Sequence, residues 1–152
     1  MDLILWRHAE AEEGFDDLSR KLTARGHRQA EKMAKWLTRQ LRGRNVQLIA
    51  SEARRSQQTL AAFSKDFLVD PRLNPGASAA AYFSSCGWPS SWDGVVVVAG
   101  HQPEIGRVAS LALTGREVEW AIKKGAIWWL QQRIGPGGPQ VKLRAMVTPQ
   151  ML

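Results

Sequence analysis

An arginine and a histidine stand together at the end of an apolar segment near the start of this chain. The run Leu3–Trp6 is typical of a buried strand of a parallel sheet, and Arg7 and His8 follow it directly. Ligand sites in open α/β sheets lie at the carboxyl ends of the strands. A guanidinium at such a point can bind an oxyanion, and an imidazole can attack an electrophile or shuttle protons. The alternative is a strand that ends in two polar surface residues.

Two further apolar segments end in the same kinds of side chain. Val46–Ala50 is followed by Ser51, Arg54 and Arg55, and Val95–Ala99 is followed by Gly100 and His101. A parallel sheet collects its strand ends at one edge, so we expect these groups to form a compact cationic pocket. The third histidine, His27, falls on a predicted helix and is interpreted as a solvent-side residue. We expect no metal, because no histidines or carboxylates have the spacing of a metal site such as HExxH.

The elements that must position these groups alternate between strand and helix. Strands are predicted at 3–6, 46–50, 67–69, 95–99, 126–130 and 141–147, and helices at 24–43, 54–65, 77–83 and 103–113. Thr23 is predicted to cap the first helix and Gly43 to end it. The alternation indicates one α/β domain over residues 1–152, a three-layer α/β/α sandwich with a mostly parallel central sheet.

Composition narrows the class of protein. The 152 residues have a hydrophobic share of 44% and a charged share of 23%, as in ordinary globular proteins. The single cysteine, Cys86, excludes an intrachain disulfide and indicates a reducing, cytoplasmic setting. The apolar start is too short for a signal peptide, and no apolar run reaches transmembrane length, so we expect no membrane association.

Much of the net charge of +7 lies on one face of the first predicted helix. The basic residues at helical spacing are Arg25, Arg28, Lys32, Lys35, Arg39 and Arg42, and the apolar residues on the opposite face are Ala30, Ala34, Leu37 and Leu41. We interpret this basic stripe as a solvated face. Nucleic-acid binding is a weaker alternative, because no aromatic residues interleave with the stripe and no nucleic-acid-binding motif accompanies it.

The ordered set of motifs resembles the histidine phosphatase superfamily, and within it the small SixA-type phosphohistidine phosphatases. The segments concerned are Arg7-His8, Arg20-Lys21-Leu22-Thr23-x-x-Gly26, Ser51-x-x-x-Arg55-x-x-Gln58-Thr59, Leu73-Asn74-Pro75-Gly76-Ala77, Gly100-His101, Lys124-Gly125-Ala126 and Thr148-Pro149-x-x-Leu152. The resemblance implies a phosphoglycerate mutase-like fold. It also implies a metal-independent phosphatase without cofactor, whose partner is a phosphohistidine-bearing protein of a phosphorelay or phosphotransferase system.

The same resemblance implies catalytic roles for four residues. His8 is the nucleophile, which becomes transiently phosphorylated before water releases the phosphate. Arg7 and Arg55 bind the non-bridging phosphoryl oxygens, for which a planar guanidinium is well suited. His101, in its protonated form, adds a further positive donor.

Asn74 bears on the choice of substrate. Many members of the superfamily carry a glutamate as general acid at the corresponding place, and asparagine cannot donate a proton at neutral pH. An alkoxide leaving group needs such a proton, and a positioned acid contributes ~10²–10⁴-fold in rate. A pocket without this acid therefore suits the phosphoramidate bond of phosphohistidine better than a phosphomonoester.

An acidic loop leaves two matters open. Any of Glu10, Glu12, Glu13, Asp16 and Asp17 could supply the proton, and the protein would then be a general phosphomonoesterase. Arg20, in the same loop, is by resemblance a candidate for substrate binding; the alternative is an arginine that pairs with Asp16 or Asp17. A rival from another class is a non-catalytic phosphoprotein-binding module, although a pure binder has no need of the His8 and His101 pair.

Overall fold

Six strands form one mixed sheet at the centre of the computed structural model, which describes all 152 residues. The strands are β1 (Asp2–Arg7), β2 (Val46–Ala50), β3 (Leu68–Val69), β4 (Val95–Gly100), β5 (Ile127–Gly135) and β6 (Gly138–Val147), in the order β3-β2-β4-β1-β5-β6. β1 to β4 run parallel, whereas β5 is antiparallel to β1 and β6 to β5. The predicted mostly parallel α/β sheet is confirmed, with an antiparallel hairpin at one edge.

Helices cover both faces of the sheet, which gives the three predicted layers. They are α1 (Ala24–Gln40), α2 (Arg54–Ala61), α3 (Ala79–Cys86) and α4 (Glu104–Thr114), with short 3₁₀ turns at Asp17–Ser19, Pro71–Leu73 and Pro149–Met151. Side chains alternate along β1: Leu3 and Leu5 pack with α3 and α4, and Ile4 and Trp6 pack with α1 and α2. A strand buried on both faces is mainly apolar, as the run Leu3–Trp6 in β1 indicated.

The predicted cap of α1 is confirmed, but α1 ends at Gln40, before Gly43, and α2 and α3 also differ from their predicted bounds. The Thr23 hydroxyl accepts the Gly26 N–H at 2.9 Å, and Gly43 lies beyond the last helical residue with φ +74°. α2 ends at Ala61 and not at 65, because the chain tightens into a turn in which the Ser64 hydroxyl accepts the Asp66 N–H. α3 runs later than 77–83, because Ser78 caps its start and the left-handed Gly87 ends it.

The antiparallel hairpin is longer than its sequence indicated. β5 and β6 continue to Gly135 and from Gly138, so the five-residue Gly/Pro segment contributes only a two-residue loop, Pro136 and Gly137. Gly138 has φ +102°, a conformation that favours glycine. The outer part of the hairpin is mostly exposed and carries polar residues. The apolar pattern that predicted the strands therefore does not extend over their full length.

The outer face of α1 carries the basic stripe in exposed positions, as predicted, and His27 is exposed on the same helix. The apolar side of α1 is buried against the sheet through Ala30, Met33 and Leu37. Cys86 is buried and unpaired, and burial raises the pKa of its thiol to about 12. No helix is both long enough and apolar enough to span a membrane.

Candidate active site

The carboxyl ends of β1, β2 and β4 meet at one edge of the sheet and bring the predicted residues together. In the register of the parallel strands Arg7 pairs with Gly100, and the His8 N–H donates to the Gly100 carbonyl at 3.1 Å. The imidazole rings of His8 and His101 therefore face each other with centroids 5.2 Å apart. α2 begins directly after the β2 turn, so Arg55 enters the same recess from its first turn.

His8 has one ring nitrogen free for attack. Its Nδ1 lies 2.7 Å from the Ala9 carbonyl oxygen, and since a carbonyl only accepts, Nδ1 carries the proton. The lone pair is therefore on Nε2. Burial, with Arg55 and Arg7 nearby, lowers the pKa of His8 to about 4. The ring is neutral at physiological pH, which is the form that a nucleophile requires.

His101 is held by two serines and is neutral in the free pocket. Its Nε2 lies 2.8 Å from Ser51 Oγ and 3.2 Å from Ser56 Oγ, while its Nδ1 accepts from Arg55 Nη2 at 3.4 Å. Burial lowers its pKa to about 3, and the adjacent His8 and Arg55 act in the same direction. His101 is therefore neutral in the free protein, and its predicted protonated form applies to the state with a bound phosphoryl group. Arg55 can donate to Nδ1 only because that nitrogen has no proton.

The two arginines of the site keep part of their hydrogen-bonding capacity unused. Arg7 Nη1 donates to the Ile122 carbonyl at 2.6 Å, and Arg55 Nη1 donates to the Asp17 carbonyl at 2.6 Å. The Nε atoms of both arginines are buried without a partner. Buried donors without partners are costly, so these guanidiniums are poised for an anionic ligand.

Asp17 in the acidic loop already occupies part of this site. Its carboxylate lies 3.0 Å from Arg55 Nη2 and 3.0 Å from Arg20 Nη1. Partial burial opposes ionisation of this carboxyl, but the hydrogen bonds from Arg55 and Arg20 outweigh it and lower its pKa. Arg20 is thus the loop arginine paired with Asp17, although its charge also contributes to lowering the pKa of His8.

The other four acidic residues of the loop make no contact with Arg7 or Arg55. Glu10 accepts from the Thr23 hydroxyl at 2.8 Å and Asp16 from the Ser19 hydroxyl at 2.6 Å. Glu12 and Glu13 are at the surface, Glu12 partnering Arg20 only through its carbonyl. Of the five candidates, Asp17 alone is placed at the pocket.

Several residues that shape the site had not been given a role from the sequence. The Ser56 hydroxyl lies 3.2 Å from His101 Nε2 and orients that ring. Thr59 Oγ1 accepts the Ala9 N–H at 3.1 Å, and Gln58 Oε1 accepts the Leu22 N–H at 2.7 Å, so α2 braces both loops beside His8. The sequence did contain a signal for such roles: polar residues follow Arg55, a predicted site residue, at helical spacing on the side of α2 that faces the protein.

No metal-binding arrangement accompanies these residues. No group of three or more His, Cys, Asp or Glu side chains lies close enough together to hold a metal ion. Burial lowers the pKa of His8, and the guanidiniums of Arg55 and Arg7 lie near enough to lower it further, so they supply positive charge to the site.

Residues 3–77, which contain Arg7, His8, Ser51 and Arg55, match the family model of the histidine phosphatase superfamily (branch 1). Over these 75 of its 152 residues the chain is similar to the histidine phosphatase superfamily. The match ends before His101, which enters the site only through the pairing of β4 with β1. No curated protein matches the chain significantly in sequence.

Solved structures share the fold of this chain over nearly its full length. A protein from Nakamurella multipartitia assigned as a phosphohistidine phosphatase SixA is 24% identical, with a TM-score of 0.77, and the alignment covers 97% of this chain and 95% of the other. The protein histidine phosphatase SixA in complex with tungstate is 21% identical, with TM-score 0.77 and coverages of 99% and 98%. A phosphoserine phosphatase variant from Entamoeba histolytica with bound phosphoserine is 16% identical, with TM-score 0.69 and coverages of 99% and 98%.

Proposed function

We propose that this protein is a phosphohistidine phosphatase that removes phosphate from a phosphohistidine-bearing protein through a phosphohistidine intermediate on His8. The observation that carries the proposal is the state of His8: a neutral imidazole whose free Nε2 lies in a recess shared with Arg7, Arg55 and His101. A nucleophile has no purpose in a module that only binds phosphoproteins, and this disfavours the binding-module alternative.

In the first step, His8 Nε2 attacks phosphorus, and the bond from phosphorus to the substrate imidazole breaks. The leaving imidazole takes a proton from solvent, and His8 carries the phosphoryl group on Nε2. The hydrogen bond from Nδ1 to the Ala9 carbonyl, at 2.7 Å, keeps the ring oriented and stabilises the positive charge that develops on it. Water then attacks phosphorus, inorganic phosphate leaves, and His8 Nε2 recovers its lone pair.

The arginines stabilise charge on the transferring phosphoryl group. Their planar guanidiniums can each direct two N–H groups at phosphoryl oxygens, and burial strengthens these interactions relative to water. The dianion also raises the proton affinity of His101. When Arg55 turns from His101 Nδ1 to the phosphoryl group, this nitrogen can take up a proton and donate to an oxygen. The protonated His101 therefore belongs to the ligand-bound state. No metal is needed in this mechanism, and strong chelators are expected to leave the rate unchanged.

Asn74 and Asp17 support a phosphoramidate substrate. Asn74 is occupied with Glu52: its Oδ1 accepts the Glu52 N–H and its Nδ2 donates to Glu52 Oε1, both at 2.9 Å. Asp17 is the one loop acid at the pocket, and its lowered pKa leaves it without a proton to give at neutral pH. The imidazole of phosphohistidine leaves readily without a dedicated acid, whereas an alkoxide does not.

The position of Asp17 also supports the second candidate, a general phosphomonoesterase. A phosphoryl dianion next to this carboxylate would raise its pKa, and Asp17 could then protonate an ester oxygen. The same fold is found in a phosphoserine phosphatase. The two functions differ in how the rate depends on the leaving group.

The test is a series of phosphorylated substrates with leaving groups of graded pKa. We expect a phosphohistidine peptide and aryl phosphates of acidic phenols to be hydrolysed. A phosphoserine peptide should react ~10²–10⁴-fold more slowly, because the pocket has no general acid to protonate its alkoxide leaving group. Rapid quenching and mass spectrometry at alkaline pH should locate phosphate on His8. A flat profile with efficient phosphoserine hydrolysis that is lost in Asp17→Asn would identify the phosphomonoesterase.

A further inference from the structure

A basic groove opens on the surface beside the candidate active site. It has a volume of about 360 Å³ and is lined by Arg25, Arg28, Gln29, Lys32, Pro149 and Gln150. Three of these side chains are positive and none is negative. We call this surface the Arg28 groove; it is the part of the basic stripe nearest the start of α1.

The two arginines of the Arg28 groove have no carboxylate partner within the protein. Arg20, Arg44, Arg55, Arg72, Arg107, Arg133 and Arg144 all have a carboxylate within 4.0 Å. Arg25 and Arg28 have none, and Lys32 donates only to the Leu152 carbonyl at 3.4 Å. Three like charges around one groove repel each other, so an anionic ligand would relieve that repulsion.

Both walls of the groove are connected to the backbone of His8. On one side, Gln29 is buried and its Oε1 accepts the N–H of Glu10, two residues after His8, at 3.0 Å. On the other side, Pro149 packs against Gly125, whose N–H lies 3.1 Å from the carbonyl oxygens of Arg7 and His8. Residues on both sides of the groove therefore contact the segments that adjoin His8.

We propose that the Arg28 groove binds an acidic segment of the same protein whose phosphohistidine enters the pocket. This inference rests on the proposed function. Guanidiniums suit carboxylates because they bind them through two parallel hydrogen bonds. A protein partner fits better than a nucleic acid, because no aromatic side chain lines the groove to stack with bases and because the adjoining pocket takes a single phosphoryl group.

The experiment compares two synthetic peptides that carry one chemically phosphorylated histidine. One has four glutamates on each side of the histidine and the other has four glutamines. Wild type at low ionic strength is expected to prefer the glutamate peptide by about tenfold in kcat/KM, and 0.5 M NaCl should remove most of this preference. Arg25→Glu/Arg28→Glu should abolish the preference or reverse it.

The matched control is Lys35→Glu/Arg39→Glu, which makes the same charge change on the same stripe. These residues lie roughly 10–17 Å beyond Arg28 along the helix axis. The preference for the glutamate peptide should survive in this variant. Because each protein is judged by the ratio of its two rates, a general loss of activity or stability cancels.

Several outcomes would overturn the inference. Equal rates on both peptides in wild type, or equal loss of preference in both double variants, would show that the groove does not recognise acidic segments. If neither phosphopeptide is hydrolysed, the proposed function fails, and the groove is judged by the affinity of the unphosphorylated glutamate peptide, which must be weaker for Arg25→Glu/Arg28→Glu. A DNA duplex that binds wild type more tightly than this peptide at 150 mM NaCl, and loses affinity in the same variant, would replace the protein partner with nucleic acid.

Discussion

The two ends of β1 differ in whether the charged groups there have hydrogen-bonding partners. At the start of the strand, the Asp2 carboxylate is completely buried. Its partners are Trp129 Nε1 at 2.9 Å, Arg133 Nη1 at 3.0 Å, Gln131 Nε2 at 3.3 Å, Arg44 Nη2 at 3.5 Å and Arg144 Nη1 at 3.9 Å. At the other end, five residues later, buried nitrogens of Arg7 and Arg55 have no partner.

The difference separates a structural ion cluster from a binding site. Around Asp2, hydrogen bonds and three arginines compensate a buried charge, and the pKa of the carboxyl is lowered although burial alone would raise it. Around His8, positive charge is in excess and only Asp17 offsets it. A cluster whose donors are satisfied contributes stability, whereas donors left open are available to a ligand.

The largest effect is expected at the His8 end of β1. His8→Ala should abolish turnover, with a loss on the order of 10⁴-fold or more, because the variant lacks the proposed nucleophile. The fold should persist, since the side chain is at the pocket and not in either apolar core. Steady-state kinetics with an aryl phosphate measure the loss, and thermal unfolding is the control. A variant that keeps more than a few per cent of wild-type activity would rule out His8 as nucleophile.

A loss of about 10²-fold or more is expected for Arg55→Lys, although the charge is retained, because an ammonium cannot reproduce the two-pronged geometry of guanidinium. Arg7→Lys should behave in the same way. The neighbouring Arg54→Lys is the matched control, since Arg54 is exposed at the start of α2. Near-normal kcat/KM in Arg55→Lys would mean that this residue does not bind the phosphoryl group.

At the Asp2 end of β1, Asp2→Asn should destabilise the fold by about 2 kcal/mol, because it leaves partly exposed arginines without their counterion. It should leave kcat nearly unchanged. This corresponds to a fall in Tm of about 4–8 °C. The folded pKa is depressed, so the stabilisation is complete above the unfolded pKa of ~3.9 and is lost as pH falls through the folded value. The gap between wild type and variant should therefore be full at pH 7 and close in acid. An equal loss of stability in Arg54→Lys would refute a special role for Asp2.

The smallest effect is expected for Asp17, whose carboxylate pairs with Arg55 in the pocket beside His8. Asp17→Asn should tighten binding of inorganic phosphate by about two- to fivefold, because the half-exposed Asp17 carboxylate competes with phosphate for Arg55, and ion pairs near the surface are worth ~0.2–1 kcal/mol. Isothermal titration with phosphate measures the affinity. Asp16→Asn, which removes a charge that contacts only Ser19, should change it less. Weaker phosphate binding in Asp17→Asn would mean that Asp17 orients Arg55 and does not compete with the ligand.

The strand ends were predictable because they depend on local pattern and simple topology. The apolar runs of β1, β2 and β4 identify buried parallel strands, and such strands bring Arg7, Arg55 and His101 to one edge whatever the loops do. The cap of α1 was predictable from Thr23 for a similar reason, since a cap depends only on nearby residues.

What could not be predicted depends on the path of loops and on burial. The sequence offered five acids in one loop, and only the 3₁₀ turn that begins at Asp17 decides which of them reaches Arg55. The low pKa of His101 follows from its burial and from the nearby His8 and Arg55, which no spacing rule predicts. The same holds for Arg20, whose partner could be chosen only after the loop was placed.

The bond between Gly125 and the first strand provides a reporter that needs no substrate. The Gly125 N–H points at the carbonyls of Arg7 and His8, and the Trp6 indole N–H donates back to the Gly125 carbonyl at 3.1 Å. Although Gly125 lies in a turn, its amide should exchange with deuterated solvent only when this end of β1 detaches from the chain before β5. Its exchange rate therefore measures the free energy of local opening at the nucleophile, and a ligand that closes the pocket should slow that exchange.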